Sequence, residues 1–205
     1  AAVYGIPEYI PIDELHPLSP INYYGYTKLL IEENLKWFSE LKRIRYASLR
    51  YFNAAGYDLE KRIIKKEKNP QNLIPIVMEA ANEEREELFV FGDDYETQDG
   101  TCIRDYIHVS DLAVGHLSAI KYISENKQDL VLNLGTGEGH SVIDIIKMTH
   151  KISGKNIDYN FTDRRAGDPS KVIAGSSNAE KLINWKPQHS DLHTIIKSTW
   201  NIYNQ

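Results

Sequence analysis

The chain is 205 residues long, 41% hydrophobic and 26% charged, with a formal net charge of -5 and a pI of about 5.8. That length and apolar content suffice to bury a core, and an acidic balance without a basic, aromatic-interleaved stripe excludes the phosphate backbone of a nucleic acid as partner. A single cysteine, Cys102, excludes an internal disulfide and a cysteine-rich metal site and fits a reducing cytoplasm, and nothing reads as a signal peptide or membrane span.

The opening Ala1-Ala2-Val3-Tyr4-Gly5 reads as the end of a strand entering a turn, without an initiator methionine, so the chain is expected to lack upstream strands. A proline-rich loop through Pro7, Pro11, Pro17 and Pro20 leads to a predicted helix over residues 23–42, where Leu30, Ile31, Leu35, Phe38 and Leu41 recur at helical spacing and predict a core face. The run YYGYTK at its start sets Tyr24 and Lys28 four residues apart, on one face. A neighbouring cation favours a phenolate, which makes Tyr24 a candidate proton-transfer residue; the plainer alternative is an exposed tyrosine and lysine on a surface helix.

Residues 45–53 predict a strand that continues a βαβ pattern and leaves Asn53 at its carboxyl end, where ligands bind in open α/β sheets. A charged loop to Gln71 precedes a helix over 74–84 and strands over 88–91 and 103–109, followed by a helix over 111–124 capped by Ser110 or Asp111. A strand over 130–134, a helix over 142–152, a strand over 157–161 and two helices around Ala179 and Ile195 complete a mixed α/β chain without internal repeats.

GTGEGHS, residues 135–141, lies between a strand and a helix like a nucleotide-binding turn, with Asp158 about where a ribose ligand would fall. Its glycines run G-x-G-x-G instead of G-x-G-x-x-G, which favours a tight structural turn with Ser141 capping the next helix. His189 and His193 are spaced as helical metal ligands but have no third partner in sequence, so no metal is expected; His108 and His116 read as structural. No serine or cysteine sits in a nucleophile elbow. Arg104 and Arg165 have the chemistry to hold a pyrophosphate bidentately, provided they converge; the alternative is a salt bridge to Asp105 or Asp168.

Taken in order, AVYG, YYGYTK, LRYFNAAG, NLIP, VFGDDYETQDGTCIRDYIHVSDLA, NLGTGEGHS and DRRAGD resemble the UDP-glucose 4-epimerases of the extended short-chain dehydrogenase/reductase family over nearly the whole chain. The resemblance implies the C-terminal part of a Rossmann-type parallel-sheet domain, residues 1–56, and a smaller α/β UDP-sugar domain, mainly residues 57–205, with 103–124 packing back on the Rossmann part. It implies that the glycine-rich phosphate turn and a catalytic serine or threonine lie upstream of Ala1. It further implies an NAD-dependent isomerase of galactose metabolism that interconverts UDP-glucose and UDP-galactose through transient oxidation at sugar C4.

In that resemblance Tyr24 is the base for the 4-hydroxyl proton, and Lys28 bonds the nicotinamide ribose and depresses the tyrosine pKa. Phe52 and Tyr51 fall where the family contacts cofactor and sugar. Asn53 meets phosphates or sugar, Asn72 and Leu73 the nucleotide, Phe91 the uracil, Arg104 and Arg165 the pyrophosphate and Asp168 the uridine ribose. Val172 replaces a large tyrosine, which leaves room for UDP-N-acetylhexosamines, while the loop 57–71 departs from the family pattern. The resemblance also implies a cytoplasmic homodimer through the Tyr24 helix. A sugar-nucleotide dehydratase would need an acid and a base where Ala1 and Ala2 stand. The remaining alternative is a non-catalytic nucleotide-sugar-binding fragment or relic, and these 205 residues alone are expected neither to hold NAD tightly nor to turn over substrate.

Overall fold

The computed structural model describes residues 1–205. Helix α1, Tyr23–Lys42, starts where the Asn22 side chain accepts the Gly25 amide at 2.8 Å, and ends at Arg43 in the left-handed region. Its expected core face is not a core face in this chain: Ile31, Phe38 and Leu41 are 51%, 51% and 71% exposed. The buried positions are Gly25, Glu32 and Ser39, a stripe repeating every seven residues. The apolar periodicity marks a face suited to burial, and nothing among the described residues covers it.

Strand β1, Ala47–Tyr51, runs parallel to β6, Leu130–Leu134, with Ala47 opposite Leu130 and Tyr51 opposite Leu134. The strand expected over 45–53 is broken at Phe52. Beyond the break the chain abandons β6, and β2, Asn53–Ala55, pairs parallel with β5, Tyr106–His108. The strand expected over 103–109 is broken likewise: β4, Ile103–Arg104, ends at Asp105, and β4 lies between antiparallel β7, His140–Ser141, and parallel β9, Lys171–Val172. The two breaks face each other, because the backbone and side-chain amides of Asn53 both donate to the Asp105 carbonyl, at 3.0 and 2.9 Å. Strand β3, Phe89–Phe91, pairs parallel with β8, Asn160–Thr162, a later start than the expected 157–161.

The remaining helices are α2, Leu73–Ala81; α3, Val109–Asn126; α4, Val142–Ser153; α5, Ser177–Ile183; and α6, Leu192–Tyr203. Ser141 caps α4 as expected, in a reciprocal box with Asp144. Helix α3 begins earlier than expected, and its cap is His108, whose ring nitrogen accepts the Ser110 amide at 3.1 Å. Asp111 does not cap the helix; its carboxylate accepts the Gln188 and His189 amides at 3.0 and 2.9 Å and ties α3 to the 186–190 loop.

The chain is thus a mixed α/β fold with predominantly parallel strand pairs. One core joins α2, α4 and α6 around Val77, Met78, Ile145, Ile195 and Tyr203. A second joins β6, α3 and α5 through Leu132, Leu134, Leu112 and Ala179, with β1 packed on it. Val3, Tyr4 and Ile12 form a small third cluster. No helix is long and apolar enough to cross a membrane.

His108 is fully buried, with one ring nitrogen accepting from Ser110 and the other 3.1 Å from the Ser198 hydroxyl. Burial lowers its pKa below the ordinary 6.5, so the unfolded chain takes up this proton first. The contribution of neutral His108 is therefore complete above about pH 6.5 and is lost as pH falls through the lowered folded value. Urea unfolding from pH 7.5 to 5.5 is expected to show stability falling with pH more steeply in the wild type than in His108→Gln, by about 1.4 kcal/mol per unit of pKa difference.

Candidate active site

A cleft of about 750 Å³ opens just beyond the carboxyl end of β1, a size suited to a small organic ligand. One wall is the extended run through β4 and β5, where two-residue alternation turns Cys102, Arg104 and Tyr106 to the cleft. The other walls come from residues 52–57, the start of α2, strand β3, and Arg165 and Asp168. Burial raises the Cys102 thiol and Tyr106 phenol above their ordinary values, so both are neutral near pH 7 and Arg104 supplies the charge of this wall.

The two arginines do converge here. Arg104 pairs with Asp168, not with its neighbour Asp105, and Arg165 lies with its guanidinium carbon 3.9 Å from the centroid of Phe91. Asn72 and Leu73 form the N-terminal edge of α2, where the Asn72 side chain makes no capping bond and the first turn carries no acidic residue. A helix terminus in that state offers free amides and a positive dipole end to an anion. The cleft therefore gathers three guanidinium groups, those of Arg104, Arg165 and the Glu79-paired Arg85, which was not singled out from the sequence, with a helix N-terminus and an aromatic face. It includes Phe52, Asn53, Asn72, Leu73, Phe91, Arg104, Arg165 and Asp168 among the residues expected from sequence.

The other expected residues lie outside it. Tyr24 is 63% exposed, and Lys28, also exposed, holds its ammonium 5.1 Å from the tyrosine ring centroid, so the pair shares one face of α1. Tyr51 turns its ring toward His116 of α3, 6.1 Å between centroids. Val172, opposite Arg104 in the β4–β9 pair, packs against the Val3–Tyr4–Ile12 cluster. Phe52 and Leu29 of α1 touch that same cluster, and Phe52 also lines the cleft. The cluster is thus the link between the helix carrying Tyr24 and the cleft.

The turn at 135–137 is filled by the protein itself. The carboxylate of Asp105, fully buried, accepts the amides of Thr136, Gly137 and Ala174 at 3.0, 3.0 and 3.1 Å and the Thr136 hydroxyl at 2.8 Å. Burial raises the Asp105 pKa, and these donors oppose the rise. With an internal carboxylate in that nest of amides, the turn has no room for a phosphate. No three His, Cys, Asp or Glu side chains are grouped to hold a metal ion. Cys102, Tyr106 and the apolar wall of Leu88 and Val90 were not singled out from the sequence. Alternation around Arg104 is the signal that points to Cys102 and Tyr106; no comparable signal marks the others.

Fold and cleft together define an α/β protein of Rossmann type, with parallel strands and a ligand cleft at a strand's carboxyl end. The chain belongs to the NAD dependent epimerase/dehydratase family, whose profile matches residues 1–135. It is 44% identical over 201 residues to a UDP-glucose 4-epimerase of Halalkalibacterium halodurans, covering 98% of this chain and 60% of that relative. It superposes on the crystal structure of UDP-glucose 4-epimerase from Brucella ovis in complex with NAD with a TM-score of 0.95 at 41% identity, over 99% of this chain and 62% of that one. The corresponding enzyme of Bifidobacterium longum, in complex with NAD+ and UDP, gives a TM-score of 0.88 at 38% identity, over 100% of this chain and 61% of that one. The chain therefore spans about 60% of the length of the curated relatives it matches.

Replacing Asp105 by alanine removes the common acceptor of three amides and a hydroxyl, of which the Ala174 amide is buried while Thr136 is half-buried and Gly137 exposed. The expected loss is about 1–3 kcal/mol, set mainly by the buried Ala174 amide, since a stranded buried donor costs that much while the Thr136 and Gly137 groups regain water. Urea denaturation measures it, and a loss below about 1 kcal/mol contradicts the central role of this carboxylate.

Proposed function

We propose that the protein to which these residues belong is an NAD-dependent isomerase that interconverts UDP-glucose and UDP-galactose, and that the same site admits UDP-N-acetylhexosamines. The observation that carries the reading is the convergence of Arg104 and Arg165, distant in sequence, on one cleft with the N-terminus of α2 and the ring of Phe91. That set matches the charge and shape of a nucleoside diphosphate: guanidinium groups and helix amides for the pyrophosphate, an aromatic face for the base. Asn53, Asn72, Leu73 and Asp168 supply the remaining contacts of this reading, and Tyr51 and Val172 border the sugar. In this division residues 1–56, with 103–124, belong to the cofactor domain and 57–205 mainly to the UDP-sugar domain. The packing of α3 in one core with β1 supports the return of 103–124 to the first domain.

The residues present fit one end of a dinucleotide and not the other. Tyr24 and Lys28 stand side by side and accessible on α1, as a nicotinamide ribose requires, with Phe52 on the same structural link. The amide turn at 135–137, being occupied by Asp105, does not hold the dinucleotide phosphates. A bound NAD would supply the hydride acceptor and donor for transient oxidation at sugar C4. Tyr24 accepts the 4-hydroxyl proton and later donates it back. Lys28 holds the ribose hydroxyls. The arginines and α2 hold the diphosphate while the sugar, bound through fewer polar contacts, presents either face to the hydride. The exposed apolar residues of α1, Ile31, Trp37, Phe38 and Leu41, support a homodimer packed through this helix, in a cytoplasmic protein whose one cysteine is unpaired.

Two measurements test the reading. Calorimetry with UDP is expected to show binding to the 205-residue chain, weakened at least about tenfold by Arg104→Ala or Arg165→Ala, the scale of a charge-assisted hydrogen bond. Undiminished binding in both variants removes the cleft from the proposal. In the whole protein Tyr24→Phe is expected to lower kcat for UDP-galactose about 100-fold or more, while the 205 residues alone, with added NAD, convert none. Wild-type turnover in Tyr24→Phe excludes this tyrosine as the base.

A further inference from the structure

A buried polar chain runs beneath α1 that neither the cleft nor the proton transfer uses. Glu32 accepts from Arg50 through both oxygens, Nε at 2.9 Å and Nη2 at 2.5 Å. Arg50 Nη1 donates to the Tyr4 hydroxyl at 3.0 Å, which donates to Asn133 Oδ1 at 2.6 Å, and the Asn133 amide donates to the Ile12 carbonyl at 2.8 Å. Arg50 and Asn133 are register partners in the β1–β6 pair, so the base of this chain is the sheet itself. All four side chains are buried.

Glu32 is also the third step of a stripe. Tyr24, Lys28 and Glu32 follow one another at four-residue spacing, each advancing about 40° around the helix. We propose that the Glu32–Arg50 pair is a positioning device that sets the rotation of α1 about its axis and so the direction in which Tyr24 and Lys28 point; this rests on the reading of Tyr24 as the base. The rest of the helix leaves that rotation weakly defined. Its apolar residues are largely exposed, and such contacts are non-directional where they exist. Its ends are held at two points: Gly25, whose backbone sits so close to Ala2 that a Cβ would collide with the Ala2 carbonyl oxygen, and Ser39, which donates to Asp129. Between those ends Leu29 packs non-directionally on the Val3–Tyr4–Ile12 cluster, and the fork between Glu32 and Arg50, two parallel bonds with a defined plane, is the directional contact that resists turning.

A buried ion pair adds little net stability over a well-packed apolar pair, so what this pair contributes is geometry. That separates the proposal from a structural role. In the whole protein, the double variant Glu32→Leu/Arg50→Met is expected to unfold at no lower urea concentration than the wild type. Its KM for UDP-galactose stays within about twofold while kcat falls about tenfold or more, because misaimed catalytic groups slow the chemistry without altering nucleotide binding. Glu32→Gln, which keeps one acceptor, is expected to lose kcat to a lesser degree. A folded double variant with wild-type kcat overturns the proposal, and if that variant does not fold, wild-type kcat in Glu32→Gln overturns it. Tyr24→Phe is measured alongside: inactive Tyr24→Phe with an unaffected double variant sinks the positioning role alone, whereas active Tyr24→Phe sinks the base assignment beneath it.

Discussion

Asp105 sits where four pieces of chain meet, and the cleft exists because a single residue can satisfy all of them. Its carboxylate collects the amides of the turn after β6 and of Ala174 after β9, its carbonyl takes two bonds from Asn53, and its own amide donates to Val172 at 3.1 Å. A charge this deep is tolerable only when surrounded by aligned dipoles, and backbone amides supply them without a counterion. Because Asp105 faces inward, strand alternation turns Cys102, Arg104 and Tyr106 to the opposite side, where they form the cleft wall. The same hydrogen bonds that break β4 from β5 and β1 from β2 thus aim the arginine.

The two chemical elements of the proposed site are held in different ways. The cleft is assembled within this chain, from walls packed on the core of α2, α4 and α6. Tyr24 and Lys28 stand on an exposed helix whose attachment to the sheet is polar and sparse. β1 has β6 on one edge and no strand on the other, and α1 and α3 both present apolar side chains to solvent, Trp37 and Phe38 on one and Leu117 and Ile120 on the other. The chemistry proposed for α1 therefore depends on orientation more than on burial.

Much of the element order was legible from residues alone. The strand at 130–134 and the capped helix that follows GTGEGHS coincide with β6 and α4 because hydrophobic run, glycine turn and Ser141–Asp144 box are all local signals. The failures share a cause. Residues 45–53 and 103–109 each look like one strand, since propensity does not record a change of partner, and the break is imposed by Asn53 meeting Asp105 across the fold. The same holds for the cap of α3: His108 is an uncommon cap, chosen here because its ring is already locked against Ser198 in the core.

Sequence by itself determined the α/β class, the pairing of Tyr24 with Lys28 on one helical face, and the candidate anion-binding arginines, because each depends on residue type and short-range periodicity. It could not determine whether Arg104 would bond Asp105 or Asp168, whether the glycine turn would receive a phosphate or a side chain, or which face of α1 would be buried. Those outcomes rest on contacts between residues far apart in the chain. Only the folded structure shows that Asp105 fills the turn, that Asp168 is left for Arg104, and that α1 docks through Gly25, Glu32 and Ser39 while its apolar side stays open. Backbone amides and a buried guanidinium must find partners wherever the fold puts them, and that demand is non-local.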